Sequence, residues 1–192
     1  EMLAADAKEY PDYAIWARNL LVTPACGRVI PFYDRVEPHD ITLEEMLGGA
    51  VIPGAGTMYR REVFESLGGH RPIRRVEDQD FWMRALAAGY RHRFAPGNLY
   101  VYHLTAGQKS AAYREQMTSR IDSVQRLIDS GELTDQQRRI AESWIASVPD
   151  LIQRQQAEVV KARRRERLRP YLGWAFPIYR CLRRLLLEGD RH

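Results

Sequence analysis

Apolar positions along the chain change their spacing several times, and each change marks an element. Residues 1–16 read as the end of a helix with Leu3, Ala4 and Ala7 on one face, a Pro11-Asp12 turn, and a strand opening at Tyr13–Trp16. Asn19 to Phe32 is apolar and β-branched in patches broken by Pro24 and Gly27, which predicts short strands with a turn between them. Thr42 stands three residues before Glu45, the pattern of a capping box, and Leu43, Met46 and Leu47 form the apolar face of the helix that follows. Gly48-Gly49 stops it. Arg61 to Leu67 predicts a short helix burying Val63, Phe64 and Leu67, ended by Gly68-Gly69. From Phe81 to Ala88 the apolar residues Phe81, Trp82, Ala85 and Leu86 recur at helical spacing, with Trp82 read as core and Gly89 as the residue past the end. Arg91 to Phe94 and Leu99 to Leu104 then read as two strands around a Pro96-Gly97-Asn98 turn.

Beyond residue 110 the pattern becomes helical throughout. Ala111 to Ile128 places Met117, Ile121, Val124 and Leu127 or Ile128 on one side, and Gly131 breaks it. Thr134 can cap a helix running to Val148, where Pro149-Asp150 is expected to interrupt, and Leu151 to Leu168 is long, polar and basic. Pro170 to Pro177 carries Tyr171, Leu172, Trp174 and Phe176, and Ile178 to Leu187 predicts a last amphipathic helix. The resulting organisation is an α/β part over residues 1–110 and a helical basic extension over 111–192.

Apolar residues make up 45% of 192, which supports a folded chain with one domain and a modest second element. The two cysteines, Cys26 and Cys181, are far apart and form neither a disulfide framework nor a zinc spacing, so a reducing, cytoplasmic setting is expected. No apolar run reaches the length of a membrane-spanning helix, and the first residues lack the basic-then-apolar order of a signal peptide. The net charge of +4 conceals an asymmetry: residues 1–110 hold 13 Lys and Arg against 14 Asp and Glu, whereas residues 111–192 hold 16 against 11. The positive excess belongs to the tail, where charge acts locally on partners.

Glu77-Asp78-Gln79-Asp80 is the feature hardest to explain by packing. One acidic side chain suffices to cap a helix or favour its dipole. Three carboxylates in four residues repel unless water, a cation or basic groups such as Arg74 and Arg75 offset them. Such a cluster in a cleft is what base-assisted or metal-assisted transfer needs. Upstream, Gly54 and Gly56 leave backbone room for close approach to a ligand. Downstream, His103 closes a strand before the polar segment Thr105–Ser110, which is suited to closing over a bound group.

The ordered pattern Gly54-x-Gly56-x-x-x-Arg60-Arg61-Glu62-x-Phe64-x-x-x-Gly68-Gly69, then Glu77-Asp78-x-Asp80-x-x-x-Arg84, Gly89-Tyr90 and Tyr102-His103, resembles the acceptor-side half of a family 2 glycosyltransferase with the GT-A fold. The likeness covers roughly residues 1–110. It implies transfer of a sugar, with inversion, from a nucleotide-diphosphate donor to a hydroxyl of a saccharide or lipid-linked acceptor, as in polysaccharide biosynthesis. It implies Asp78 as general base, Glu77 orienting the acceptor, and Gly54, Gly56, Asp80 and Arg84 on the acceptor or sugar; for Asp80, organising Arg84 is the other role. His103 would ligate a Mn²⁺ or Mg²⁺ ion or contact the diphosphate.

The family's nucleotide-binding half carries an Asp-x-Asp-type motif, and neither Asp6 nor Asp12 supplies one here. The expectation is therefore an incomplete GT-A-like domain, the C-terminal part of a longer enzyme. Two alternatives belong to other classes. In a non-catalytic interaction module, the acidic cluster would be surface or capping. A basic nucleic-acid-binding helical protein would use the arginine-rich tail, but the balanced charge of residues 1–110 and the lack of zinc or RNP-like spacing argue against nucleic acid. The tail also suits an anionic membrane surface, with aromatic residues between Pro170 and Pro177 flanked by arginines, which would place the protein peripherally on the inner face of the cell membrane.

Overall fold

The computed structural model describes residues 1–23, 30–31, 38–103 and 113–172. Two compact units are present, residues 1–148 and residues 149–192. Cys26, the segment 105–110, the aromatic stretch after Leu172 and the expected helix Ile178–Leu187 lie outside the described residues, as do the side chains of the basic run from residue 162 to Leu172.

The first unit is built on β1 (Ile15–Thr23). One edge of β1 pairs in parallel with β4 (His92–His103), from Ile15 opposite His92 to Thr23 opposite His103. The other edge takes two antiparallel partners: β3 (Thr57–Tyr59) beside Ile15–Ala17 and β2 (Ile30–Pro31) beside Leu21 and Val22. Asn19–Phe32 was expected to hold short strands, yet its first residues belong to one nine-residue strand. Ile15, Trp16, Ala17, Asn19 and Leu20 are all buried, so the first part of β1 is covered on both faces.

β4 departs more sharply from expectation. Pro96-Gly97-Asn98 does not reverse the chain, and the two expected strands are one. The register against β1 shifts between Arg18 and Leu21, and Gly97 sits at φ +96. The extra residues are absorbed as a bulge, which suits a proline that cannot donate to a ladder and a glycine free to adopt positive φ.

The helices before Pro149 belong to the same compact unit as this sheet. α1 (Met2–Glu9) buries Asp6, while the expected face residue Ala4 is exposed. Arg18 of β1 grips the Asp6 carboxylate with Nε at 2.7 Å and a terminal nitrogen at 2.6 Å, a bidentate pair that pins α1 to the sheet. α2 (Leu43–Leu47) has the expected capping box: Glu45 N–H donates to Thr42 Oγ1 and Thr42 N–H donates to the Glu45 carboxylate. α3 (Arg61–Ser66) buries Val63, but Phe64 remains 40% exposed and Leu67 is half-buried. Phe64 instead lies against the rings of Tyr59, His70 and Phe81.

α4 (Glu77–Ala87) is buried from Gln79 to Ala85, with Phe81, Trp82, Met83 and Ala85 in the core. Leu86 is only half-buried. α5 (Tyr113–Asp129) packs Val124, Leu127 and Ile128 inward. α6 (Asp135–Leu172) starts from a second reciprocal cap, Thr134 with Gln137. Pro149 does not end it as expected; the helix passes through, and the boundary between the two compact units falls at this proline. A proline removes one helical hydrogen bond without forbidding the turns on either side.

Candidate active site

The acidic cluster opens α4 without a side-chain cap, since its N-cap is Val76. Arg75, just before it, has φ +74, a left-handed conformation that costs energy in any residue with a Cβ and turns the chain into the helix. Its Nε lies 2.7 Å from Glu115 of α5.

The three carboxylates then part company. Asp80 is 1% exposed and points into the fold, where its Oδ2 accepts from Arg84 Nε at 2.9 Å and its Oδ1 from Ser123 Oγ at 2.7 Å. Arg84 also donates to the carbonyls of Leu67 and Gly69, at 2.9 and 2.7 Å. This pair joins α4, α5 and the Gly68-Gly69 turn. Glu77 is half-buried, and His70 Nδ1 lies 3.2 Å from its carbonyl oxygen.

Asp78 faces elsewhere. Its Oδ1 accepts the Gln79 backbone N–H at 2.8 Å. Its Oδ2 lies so close to Gly54 that a Cβ there would stand 2.2 Å away. Only glycine permits this contact. Burial raises the Asp78 carboxyl above its ordinary pKa; hydrogen bonds from Gln79 oppose the rise, and the charge of Glu77 adds to it.

Asp78 and Gly54 share a cavity of about 560 Å³. Leu20 and Val22 of β1, Val51 and Pro53, and Tyr100 and Tyr102 of β4 form its walls with Tyr113, Gln116, Met117 and Arg120 of α5. Arg75, Val76 and Gln79 complete the side that carries Asp78. Tyr100 donates to the Ala55 carbonyl at 3.1 Å, and burial, then the nearby Tyr102 and Asp78, push its phenol up to about 12. It therefore stays protonated as a donor. Gly56, at φ +80, lets the turn close against this ring, where a Cβ would stand 2.9 Å from it.

The fold thus brings Asp78 and Gly54 into one cavity and places Gly56 behind its tyrosine wall. Asp80, Arg84, Glu77 and His103 are not among its lining residues. His103 ends β4 opposite Thr23, with Nδ1 2.7 Å from Thr23 Oγ1, and is exposed. Of the two arginines in the lining, Arg75 stands out in the sequence as a charge offset to the acidic cluster, whereas Arg120 does not stand out. Arg120 is 2% exposed, donates to the carbonyls of Met46 and Ala50 at 2.7 Å each, and lies 5.0 Å from the Trp144 ring centre. A cation between Met117 and Val124 on the apolar side of α5 was the available signal.

A match to the family described as Glycosyl transferase family group 2 spans residues 31–188. The chain belongs to this family. The α/β architecture agrees with a GT-A-like glycosyltransferase domain, and the match runs past residue 110 to take in α5 and α6. No curated protein and no solved structure matches the chain. Glycosyl transfer is the family's general activity, with a nucleotide-diphosphate sugar as donor and a hydroxyl as acceptor.

Many glycosyltransferases of this family use a divalent ion. Among the described residues no group of three or more His, Cys, Asp or Glu side chains converges to hold one. His103 offers a single imidazole already against Thr23. These residues alone do not build a Mn²⁺ or Mg²⁺ site.

Proposed function

We propose that this glycosyltransferase inverts the anomeric centre and that Asp78 is its general base. The supporting observation is the partly buried Asp78 carboxylate, raised in pKa and seated against Gly54 in a cavity large enough for a sugar ring. As the acceptor oxygen bonds to the anomeric carbon, its proton passes to an Asp78 oxygen. The bond from that carbon to the diphosphate oxygen breaks on the opposite face, and the nucleoside diphosphate leaves with the electron pair. A base with an elevated pKa is better matched to this transfer at neutral pH than an ordinary aspartate. Tyr100 and Tyr102 give the acceptor ring apolar faces to lie against.

Asp80 and Arg84 take the organising role, because their charges are spent on each other and on backbone carbonyls. Glu77, next to Asp78 in the chain, orients the acceptor, and His103 contacts the donor diphosphate. The basic sequence of residues 159–187 carries the protein to an anionic membrane surface, where a lipid-linked or polysaccharide acceptor is found.

The test is kcat of Asp78→Asn against the parent protein as its gene encodes it, with donor and acceptor saturating. Loss of the base lowers kcat by about 10²- to 10⁴-fold while donor affinity and melting temperature stay near the parent's. An unchanged kcat removes Asp78 from the role and favours the non-catalytic reading of the cluster.

A further inference from the structure

Gln79 follows Asp78 directly and is 6% exposed, a polar side chain placed almost wholly inside the protein. Burying an amide is unfavourable unless its groups are paired. Its Nε2 donates to the Ile52 carbonyl at 2.7 Å, in the segment leading into the Gly54 turn. Its backbone N–H donates to Asp78 Oδ1 at 2.8 Å. Its Oε1 is buried with no hydrogen-bond partner, so the amide is not there to satisfy itself. One residue therefore bonds both the Asp78 carboxylate and the segment that leads into Gly54, the glycine against which that carboxylate is pressed.

We propose that Gln79 is the positioning residue of Asp78, its side-chain amide tying the first turn of α4 to the Gly54 turn while its backbone N–H orients the carboxylate. The inference rests on the assignment of Asp78 as base. Without the Ile52 tether the Gly54 turn and the helix start can separate, and the carboxylate loses its fixed direction toward the acceptor. A displacement of about 1 Å at a reacting group costs on the order of 10²-fold in rate. The hydrogen bonds from Gln79 also favour the ionised carboxylate and counter its burial. Glu77 beside it raises the same carboxyl, and Arg75 before the helix, Tyr100 and Tyr102 from β4, and Tyr113 and Arg120 from α5 line the same cavity. Gln79→Met leaves all of these unchanged; Gln79→Glu adds a negative charge that raises the Asp78 titration by itself, so the titration and the acidic limb are read on Gln79→Met.

The experiment compares the parent with Gln79→Met, which keeps length and volume without a donor, and with Gln79→Glu, which keeps shape but cannot donate when ionised. The readouts are kcat, KM for the acceptor, the acidic limb of the kcat/KM profile, and the Asp78 carboxyl titration by carbon NMR. A positioning role predicts kcat lowered about 10- to 100-fold, KM changed less than about threefold, and both the limb and the titration moved upward by about one pH unit. A variant that lowers melting temperature but leaves kcat and the Asp78 titration at parent values overturns the proposal. The parent supplies a check that needs no variant: the Gln79 backbone amide proton must shift with the Asp78 titration, and an amide insensitive to it also overturns the proposal. A parent with no acidic limb, or an active Asp78→Asn, counts against Asp78 as base. A limb that is present but unmoved in Gln79→Met counts against Gln79 alone.

Discussion

At the scale of single residues, His92 and Asp78 illustrate opposite uses of burial. His92 is 1% exposed, and desolvation lowers its pKa to about 3, with Asp40 opposing the change and His39 adding to it. Its Nδ1 accepts the Ile41 N–H at 3.3 Å, which requires that nitrogen unprotonated. The unfolded chain binds a proton at this residue near pH 6.5, and the folded chain does not until about pH 3. Stability is therefore unaffected by His92 above pH 6.5 and falls by about 1.4 kcal/mol per unit as pH drops between those two values. His92→Asn, whose amide oxygen can replace Nδ1, is expected to flatten that slope in melting curves between pH 4.5 and 6.5. Equal slopes for variant and parent would mean that His92 is protonated inside the fold. Asp78 pays the reverse cost, a carboxylate kept partly out of water at the cavity, as suits a base rather than a packing residue.

At the scale of elements, α4 is held by a charge pair more than by its cap. Arg84 and Asp80 are four residues apart on the helix, and both are buried, with Ser123 of α5, the carbonyls of Leu67 and Gly69, and Arg71 3.8 Å from Asp80 as further partners. Removing one member leaves the other charge buried without its main partner, which typically costs about 3–5 kcal/mol. Arg84→Met is expected to lose that much in urea unfolding, and adding Asp80→Asn should restore part of it. If the single variant unfolds at the parent's urea midpoint, the pair is dispensable and the apolar packing of Phe81, Trp82 and Ala85 carries the helix alone. The early chain uses the same device on α1, where Arg18 and Asp6 replace an apolar stripe.

At the scale of the whole molecule, every buried apolar residue among those described lies at or before Val148, and the positive excess of the sequence lies beyond it, where 11 Lys and Arg stand against 5 Asp and Glu. No helix among the described residues is long and apolar enough to cross a membrane. A surface-bound tail then predicts salt-sensitive co-sedimentation with anionic vesicles, absent with neutral ones, and lost in a chain ending at Glu158. Each basic residue near the surface contributes about 1 kcal/mol. A full chain that stays in the supernatant at low salt, with the shortened form aggregating, would assign the tail's aromatic residues to protein packing instead.

The sequence by itself determined what depends on near neighbours. The Thr42–Glu45 box, the helix opening at the acidic cluster, the core position of Trp82 and the ordered motifs of the glycosyltransferase family were all readable, because caps, turns and helical spacing act over a few residues. Only the tertiary structure decided which of three adjacent carboxylates meets a cavity. Asp80 is claimed by Arg84 and Ser123, whereas Asp78 is pressed against Gly54. Likewise, Pro96-Gly97-Asn98 reads locally as a turn, yet β1 alongside draws it into a bulged strand. Asp6 carries no local signal of burial, yet Arg18 crosses it and holds it inside the fold. In each case at least one deciding partner lies beyond the local turn, Ser123 for Asp80, Gly54 for Asp78, β1 for the Pro96-Gly97-Asn98 stretch and Arg18 for Asp6, and the free energy of a buried charge or ladder depends on that partner as well as on the residues beside it.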